Sequence, residues 1–232
     1  MSTLQTTSVL DKIRSRGYWR VVIRPTTFQE RQIPRYADLF PIVEKRSVQL
    51  RGWDYPHIDR SCQPLRGDDW VGQEYDCEDK IEAWRIYLSG QFLHFFTIAG
   101  DWRDYSTIWP AEPSWRWGQE IYYLHTLFSF VEIFEFAARL ALSPASAGHM
   151  RAEIELNGLE GRRLTTTDSE IAMFGDYRTQ ATGWNYSWEG PQTELIARPR
   201  ELAALAAQDF FARFGLNVSL ETLGKLQHRM AR

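Results

Sequence analysis

Alternation of apolar and polar positions is clearest in Tyr18-Trp19-Arg20-Val21-Val22-Ile23-Arg24. Trp19, Val21 and Ile23 share one face, Tyr18, Arg20 and Arg24 the other, and Pro25 ends the run, so a strand is predicted over 18–24. A short helix at Val9–Arg16 precedes it, stopped by Gly17 as a left-handed cap. Pro34 opens a helical stretch through Tyr36, Leu39, Phe40 and Val43, and Ser47–Trp53 reads as a second strand. Trp84–Ile98 holds two apolar runs split by Ser89-Gly90, the mark of a hairpin with a two-residue loop. That loop sets Leu88 opposite Gln91, Tyr87 opposite Phe92 and Arg85 opposite His94. Trp84, Ile86, Leu88, Leu93 and Phe95 then form the core face. Arg85, Tyr87, Phe92, His94 and Phe96 form the other, which is also rich in aromatics. The hairpin is therefore expected to be central and covered on both sides.

Asp101–Gly118 reads as a loop rich in Trp and Pro. Gln119–Leu142 has no Gly or Pro and is apolar almost all round, which predicts a buried helix about 36 Å long lying across a sheet. Asn157-Gly158 between Arg151–Leu156 and Leu159–Leu164 predicts a second hairpin. Trp184, Tyr186 and Trp188 alternate as a further strand. Two helices close the chain. One runs from Pro199 to Gly215, with Leu202, Leu205, Phe210 and Phe214 inward. The other is capped by Ser219 and carries Leu220, Leu223, Leu226 and Met230 on one face. Hairpins, grouped helices and one long buried helix predict an α+β fold with a mostly antiparallel sheet. The expectation is a single domain over 1–232, with 145–150 as the place where it would subdivide.

Composition changes this picture little and charge changes it more. The 232 residues suffice for a core without metal or disulfide staples. Cys62 and Cys77 are too few for a disulfide framework and read as reduced thiols. No signal-type stretch or long uncharged run is present, so a cytoplasmic protein with no membrane span is expected. Arginine outnumbers lysine 23 to 4, so the cations are mostly planar forks suited to phosphate, carboxylate and aromatic stacking. Residues 1–66 carry a net +6 and the remainder −9. Such asymmetry marks either a polyanion-binding face or two parts of one domain attracting each other, and the second is the simpler expectation.

Neither G-x-G-x-x-G nor G-K-[ST] occurs, so nucleotide binding of those kinds is not expected. G-x-S-x-G is also absent. Asp54, His57 and Asp59 lie within six residues, a donor set suited to a divalent metal, to which Asp76-Cys77-Glu78-Asp79 would add carboxylates. The plainer role of Asp54 and Asp59 is to cap a turn and pair with arginine. The predicted second hairpin sets Glu155 opposite Glu160, a like-charge pair relieved by a cation or by exposure. On the long helix His125, Glu132 and Glu135 form either a buried polar cluster or an ordinary hydrogen-bonded core. The C-terminal helices, with Lys225, His228, Arg229 and Arg232, invite comparison with a DNA-reading pair, but the turn between them is long for that unit.

Two recognition surfaces stand out. If strands 18–24 and 47–53 share a sheet, Arg20, Arg24, Arg51 and Trp53 form a face for a nucleic acid or another polyanion. Ten Trp is a high count, and Trp102, Trp109, Trp115 and Trp117 in one loop suggest a surface for a partner protein. The function expected from sequence is a non-catalytic binding or assembly module working through these Arg and Trp surfaces. The alternative is a metal-dependent hydrolase, a nuclease among its forms, centred on Asp54, His57 and Asp59.

Overall fold

The computed structural model describes residues 8–77, 79–102, 116–168, 170–171 and 173–231. Chain order begins with α1 (Val9–Arg14), β1 (Tyr18–Pro25), α2 (Leu39–Arg46), β2 (Val48–Gln49), β3 (Asp54–Tyr55) and β4 (Leu65–Arg66). Then come β5 (Trp70–Cys77), β6 (Lys80–Tyr87), β7 (Phe92–Thr97), β8 (Glu120–Tyr122), α3 (Tyr123–Ala141) and β9 (His149–Asn157). The chain closes with β10 (Arg163–Thr165), β11 (Gly183–Pro191), α4 (Gln192–Ala197), α5 (Pro199–Ala212) and α6 (Leu220–Gln227). Seven of the described strands form one antiparallel sheet in the order β11-β9-β1-β7-β6-β5-β4, so the fold is α+β.

Burial follows the alternation. Trp19, Val21 and Ile23 of β1, with Met150, Ala152, Ile154 and Leu156 of β9, face the main core beneath α3 and α5. The Phe130 ring of α3 meets Trp19 and Trp184 edge-on at 5.1 and 5.4 Å. The other face of the sheet holds a smaller cluster of Ile81, Ala83 and Phe95 under Ile13 of α1. Four of the eight described Trp, at 19, 84, 184 and 188, are buried in the main core. Among the described residues no helix is long and apolar enough to cross a membrane.

Several expectations are corrected. The β6–β7 hairpin has a three-residue loop, Leu88-Ser89-Gly90, not two. Gly90 at φ +81° donates to Tyr87 O, and Tyr87 N donates to Gln91 O, both at 2.9 Å. Ile86 therefore faces Phe92, and Trp84 faces His94. One residue of slip exchanges the faces of a strand. Leu93 and Phe95 accordingly turn toward α1, and His94 joins Trp84 and Phe92 beneath α3.

Asn157-Gly158 does not make a hairpin. β9 pairs instead with the long strands β1 and β11, while β10 lies parallel to β8. Arg162 explains why the chain departs here, because its side chain turns inward to a fully buried Asp101. Glu155 consequently faces Arg20 and Asn185, not Glu160. The stretch 47–53 is not one strand either. β2 ends at Gln49, the chain turns through Gly52 at φ +78°, and β2 pairs with β3 in a sheet separate from β1. Leu205, expected inward, is 38% exposed, and Leu220 is also exposed.

Candidate functional site

The turn after β2 delivers Arg51, Trp53, Asp54 and Tyr55 to the edge of the main core, beside α3. Arg51 forks onto Glu132 of α3, with Nε 2.9 Å from Oε1 and Nη2 bonded to Oε2. Its Nη2 also lies 3.4 Å from Ser129 Oγ. From the sheet, Glu82 of β6 and His94 of β7 point to the same place because the register puts both on the helix-facing side. His94 Nε2 is 2.8 Å from Glu82 Oε2. That oxygen also accepts the His57 amide at 3.1 Å, and Glu82 Oε1 accepts Trp53 Nε1 at 3.4 Å.

These groups wall a half-open pocket of about 330 Å³ between β3, β6, β7 and α3. Trp53 and Phe96 supply its aromatic walls, and Lys80 and His125 also line it. The Trp53 ring is sandwiched. His57 stacks 4.0 Å from it, and the Lys80 ammonium sits 3.6 Å from its centroid.

Two buried polar atoms on residues of this wall have no partner, Tyr55 Oη and His94 Nδ1. Both residues are deeply buried, at 6% and 1% exposure. Tyr55 is packed edge-on against His94, Phe96 and Phe136, ring contacts that satisfy its body and leave its hydroxyl unbonded. Burial, and then the negative charges of Glu82 and Glu132, push the Tyr55 phenol well above its ordinary pKa, so it stays protonated. For Glu82, burial acts upward. The hydrogen bond and charge of His94, the His57 amide and the His57 charge outweigh it, and the acid is held below its ordinary value. An ionised carboxylate only accepts, so His94 donates from Nε2, and Nδ1 is the ring nitrogen left without a partner. The carboxylate thereby fixes the orientation of the imidazole beside the pocket.

The residues singled out from sequence are divided by the fold. Asp54 and His57 do meet, with Oδ1 2.7 Å from Nδ1. Asp59 caps a separate turn through Ser61 N at 2.8 Å and Ser61 Oγ at 2.6 Å. Hydrogen bonds from Ser61 and Cys62 bring the Asp59 acid down to about 2. The three do not converge, and no group of three or more His, Cys, Asp or Glu able to hold a metal ion exists among the described residues. Asp76 is taken by Lys12 at 2.6 Å.

Arg20 and Arg24 pair with Glu155 and Glu153 across β1–β9, at 2.5 and 3.6 Å, on the opposite side of the sheet from Arg51 and Trp53. The four do not share a face. Glu135 leaves the neighbourhood of His125 and Glu132 to meet Arg200 at 2.9 Å. Lys225 pairs with Glu221 within α6 and Arg229 with Asp168, each at 2.6 Å, and the second pair ties the end of the chain to the fold. Trp102 lies under Arg16 at 4.0 Å, and Trp117 is 52% exposed beside the same guanidinium at 5.3 Å. Trp109 and Trp115 lie outside the described residues.

Sequence reasoning missed Tyr55, Glu82 and His94 as a unit. The available signal was a His on a strand apolar on both faces, where a polar side chain needs a partner whichever way it turns. The chain matches no protein-family model, no curated protein and no solved structure.

Proposed function

We propose that the protein binds a small organic molecule in the pocket between β3, β6, β7 and α3. The observation that carries this reading is a pair of buried, partnerless polar atoms, Tyr55 Oη and His94 Nδ1, on two residues that line one cavity. Buried polar groups are nearly always bonded, and each left unpaired costs about 1–3 kcal/mol, so two of them beside one cavity favour a site that an arriving group completes. Aromatic walls with a few fixed polar atoms are the usual make-up of such sites.

The test is a ¹⁹F NMR fragment screen on wild type and on Ala99→Trp, which places an indole in the pocket lining. Fragments that bind wild type and are lost in Ala99→Trp support the reading. An absence of hits, or hits equal in both proteins, overturns it.

A second reading keeps the interaction surface, of which Arg16, Trp102 and Trp117 are among the described residues. The exposure of Trp117 beside a guanidinium favours it, as stacking and charge together suit an unstacked base or an acidic partner protein. Anisotropy of a labelled single-stranded oligonucleotide should rise with wild type, fall with salt, and be lost in Trp117→Ala. Two exposed free thiols, Cys62 and Cys77, support a reducing, cytoplasmic setting.

A further inference from the structure

We infer that the ligand of this pocket is a small organic ammonium ion, seated against the Trp53 ring in the place Lys80 now holds. The inference rests on the pocket reading above and names its ligand class. Four carboxylates line the cavity, Asp54, Asp79, Glu82 and Glu132, against Arg51, Lys80 and the imidazoles of His94 and His125. Arg51 is already committed, since its fork is filled by Glu132 and its remaining reach goes to Ser129. An anion entering the pocket would find no free fork and would face Asp54, Asp79 and Glu82. The raised phenol of Tyr55 reports the same negative field, because Glu82 and Glu132 contribute to it.

The polar atoms agree with the charge. Tyr55 Oη, which has no partner, can accept as well as donate, and the carboxylates only accept. An ammonium group brings donors only, so it suits a lining rich in oxygen acceptors. Trp53 completes the seat. An indole face is the best of the aromatic surfaces for a cation. Here one face is covered by the His57 ring, and the other is occupied by the chain's own Lys80 at 3.6 Å. Lys80 is exposed and flexible-stemmed, so its ammonium can swing to water when another cation arrives. The side chain then acts as an internal stand-in that keeps the ring covered when the pocket is empty.

Isothermal titration at pH 7 with three probes of one shape tests this: phenethylamine, 2-phenylethanol and 3-phenylpropanoate. The proteins are wild type, Lys80→Ala and the filled variant Ala99→Trp. The amine is expected to bind about tenfold tighter than the alcohol, the size of a desolvated cation–π contact, with no heat from the carboxylate. Lys80→Ala should tighten the amine several-fold and leave the alcohol unchanged. Ala99→Trp should abolish both. If the alcohol or carboxylate binds as tightly as the amine and is still lost in Ala99→Trp, the ammonium assignment falls and the pocket stands. Weaker amine binding in Lys80→Ala overturns the displacement of Lys80. If no probe binds either wild type or Lys80→Ala, the assignment and the pocket reading fall together.

Discussion

Replacing Tyr55 by Phe removes one oxygen atom and should make the protein more stable, the reverse of the usual result for a buried tyrosine. In the unfolded chain the hydroxyl is bonded to water. In the fold it is buried and has no partner. The folded state therefore carries a desolvation penalty of about 1–3 kcal/mol that Phe would not. Against this stands the small void left by one hydroxyl, well under 1 kcal/mol at about 24 cal/mol per Å³. The ring contacts with His94, Phe96 and Phe136 do not depend on the oxygen and remain. The net expectation is a gain of about 1–2 kcal/mol, or about 3–6 °C in Tm for a chain of this size. Differential scanning calorimetry and urea unfolding at pH 7 measure it, with fragment binding followed in parallel. Stability should rise while binding weakens. A fall in Tm of a degree or more would refute the reasoning, since it would mean that the hydroxyl is satisfied in the empty protein and is not held open for a ligand.

Glu82 should make stability depend on acid. Its pKa is lowered by folding, so its contribution is complete above the ordinary carboxylate value and is lost as pH falls through the lower folded value. Urea midpoints of wild type and Glu82→Gln should thus differ most near neutrality and converge as pH falls below the ordinary carboxylate range, and a pH-independent difference would contradict this. Asp101→Asn leaves Arg162 as an unpaired buried cation and should cost about 3–5 kcal/mol, read as a large drop in Tm. Mg²⁺, Mn²⁺ and Zn²⁺ should leave the Tm of wild type and of Asp54→Ala/His57→Ala unchanged. A shift present only in wild type would restore the metal site that the separation of Asp59 argues against.

What could be read from sequence follows physical range. β1 was legible because its alternation is local, and the burial of Trp19, Val21 and Ile23 reproduces it. The long apolar helix was legible for the same reason, although its first turn is the strand β8. Register was not. Whether Ser89-Gly90 closes a two- or three-residue loop is a difference of one backbone conformation, and it decides whether His94 faces α1 or the pocket. Asn157-Gly158 misled because a local turn preference competes with the pairing of β9 to two longer strands and with the pull of Asp101 on Arg162. The pocket draws on residues near 51–55, 80–82, 94 and 125–132, which only the tertiary fold brings together. The charge asymmetry was legible as a pattern but not in its pairing. Arg20, Arg24 and Arg51 each find a carboxylate beyond residue 66.

The buried Asp101 has a consequence for where this chain can be cut. One carboxylate takes the Arg162 guanidinium, the Gly17 amide at 3.1 Å and the Gly118 amide at 2.9 Å. Three places far apart in sequence, just ahead of β1, β8 and β10, are therefore fastened to one buried acid. A split that parts residue 101 from 17, 118 or 162 leaves that carboxylate short of a partner until the pieces meet again, so each piece alone carries an uncompensated buried charge and reassembly is favoured.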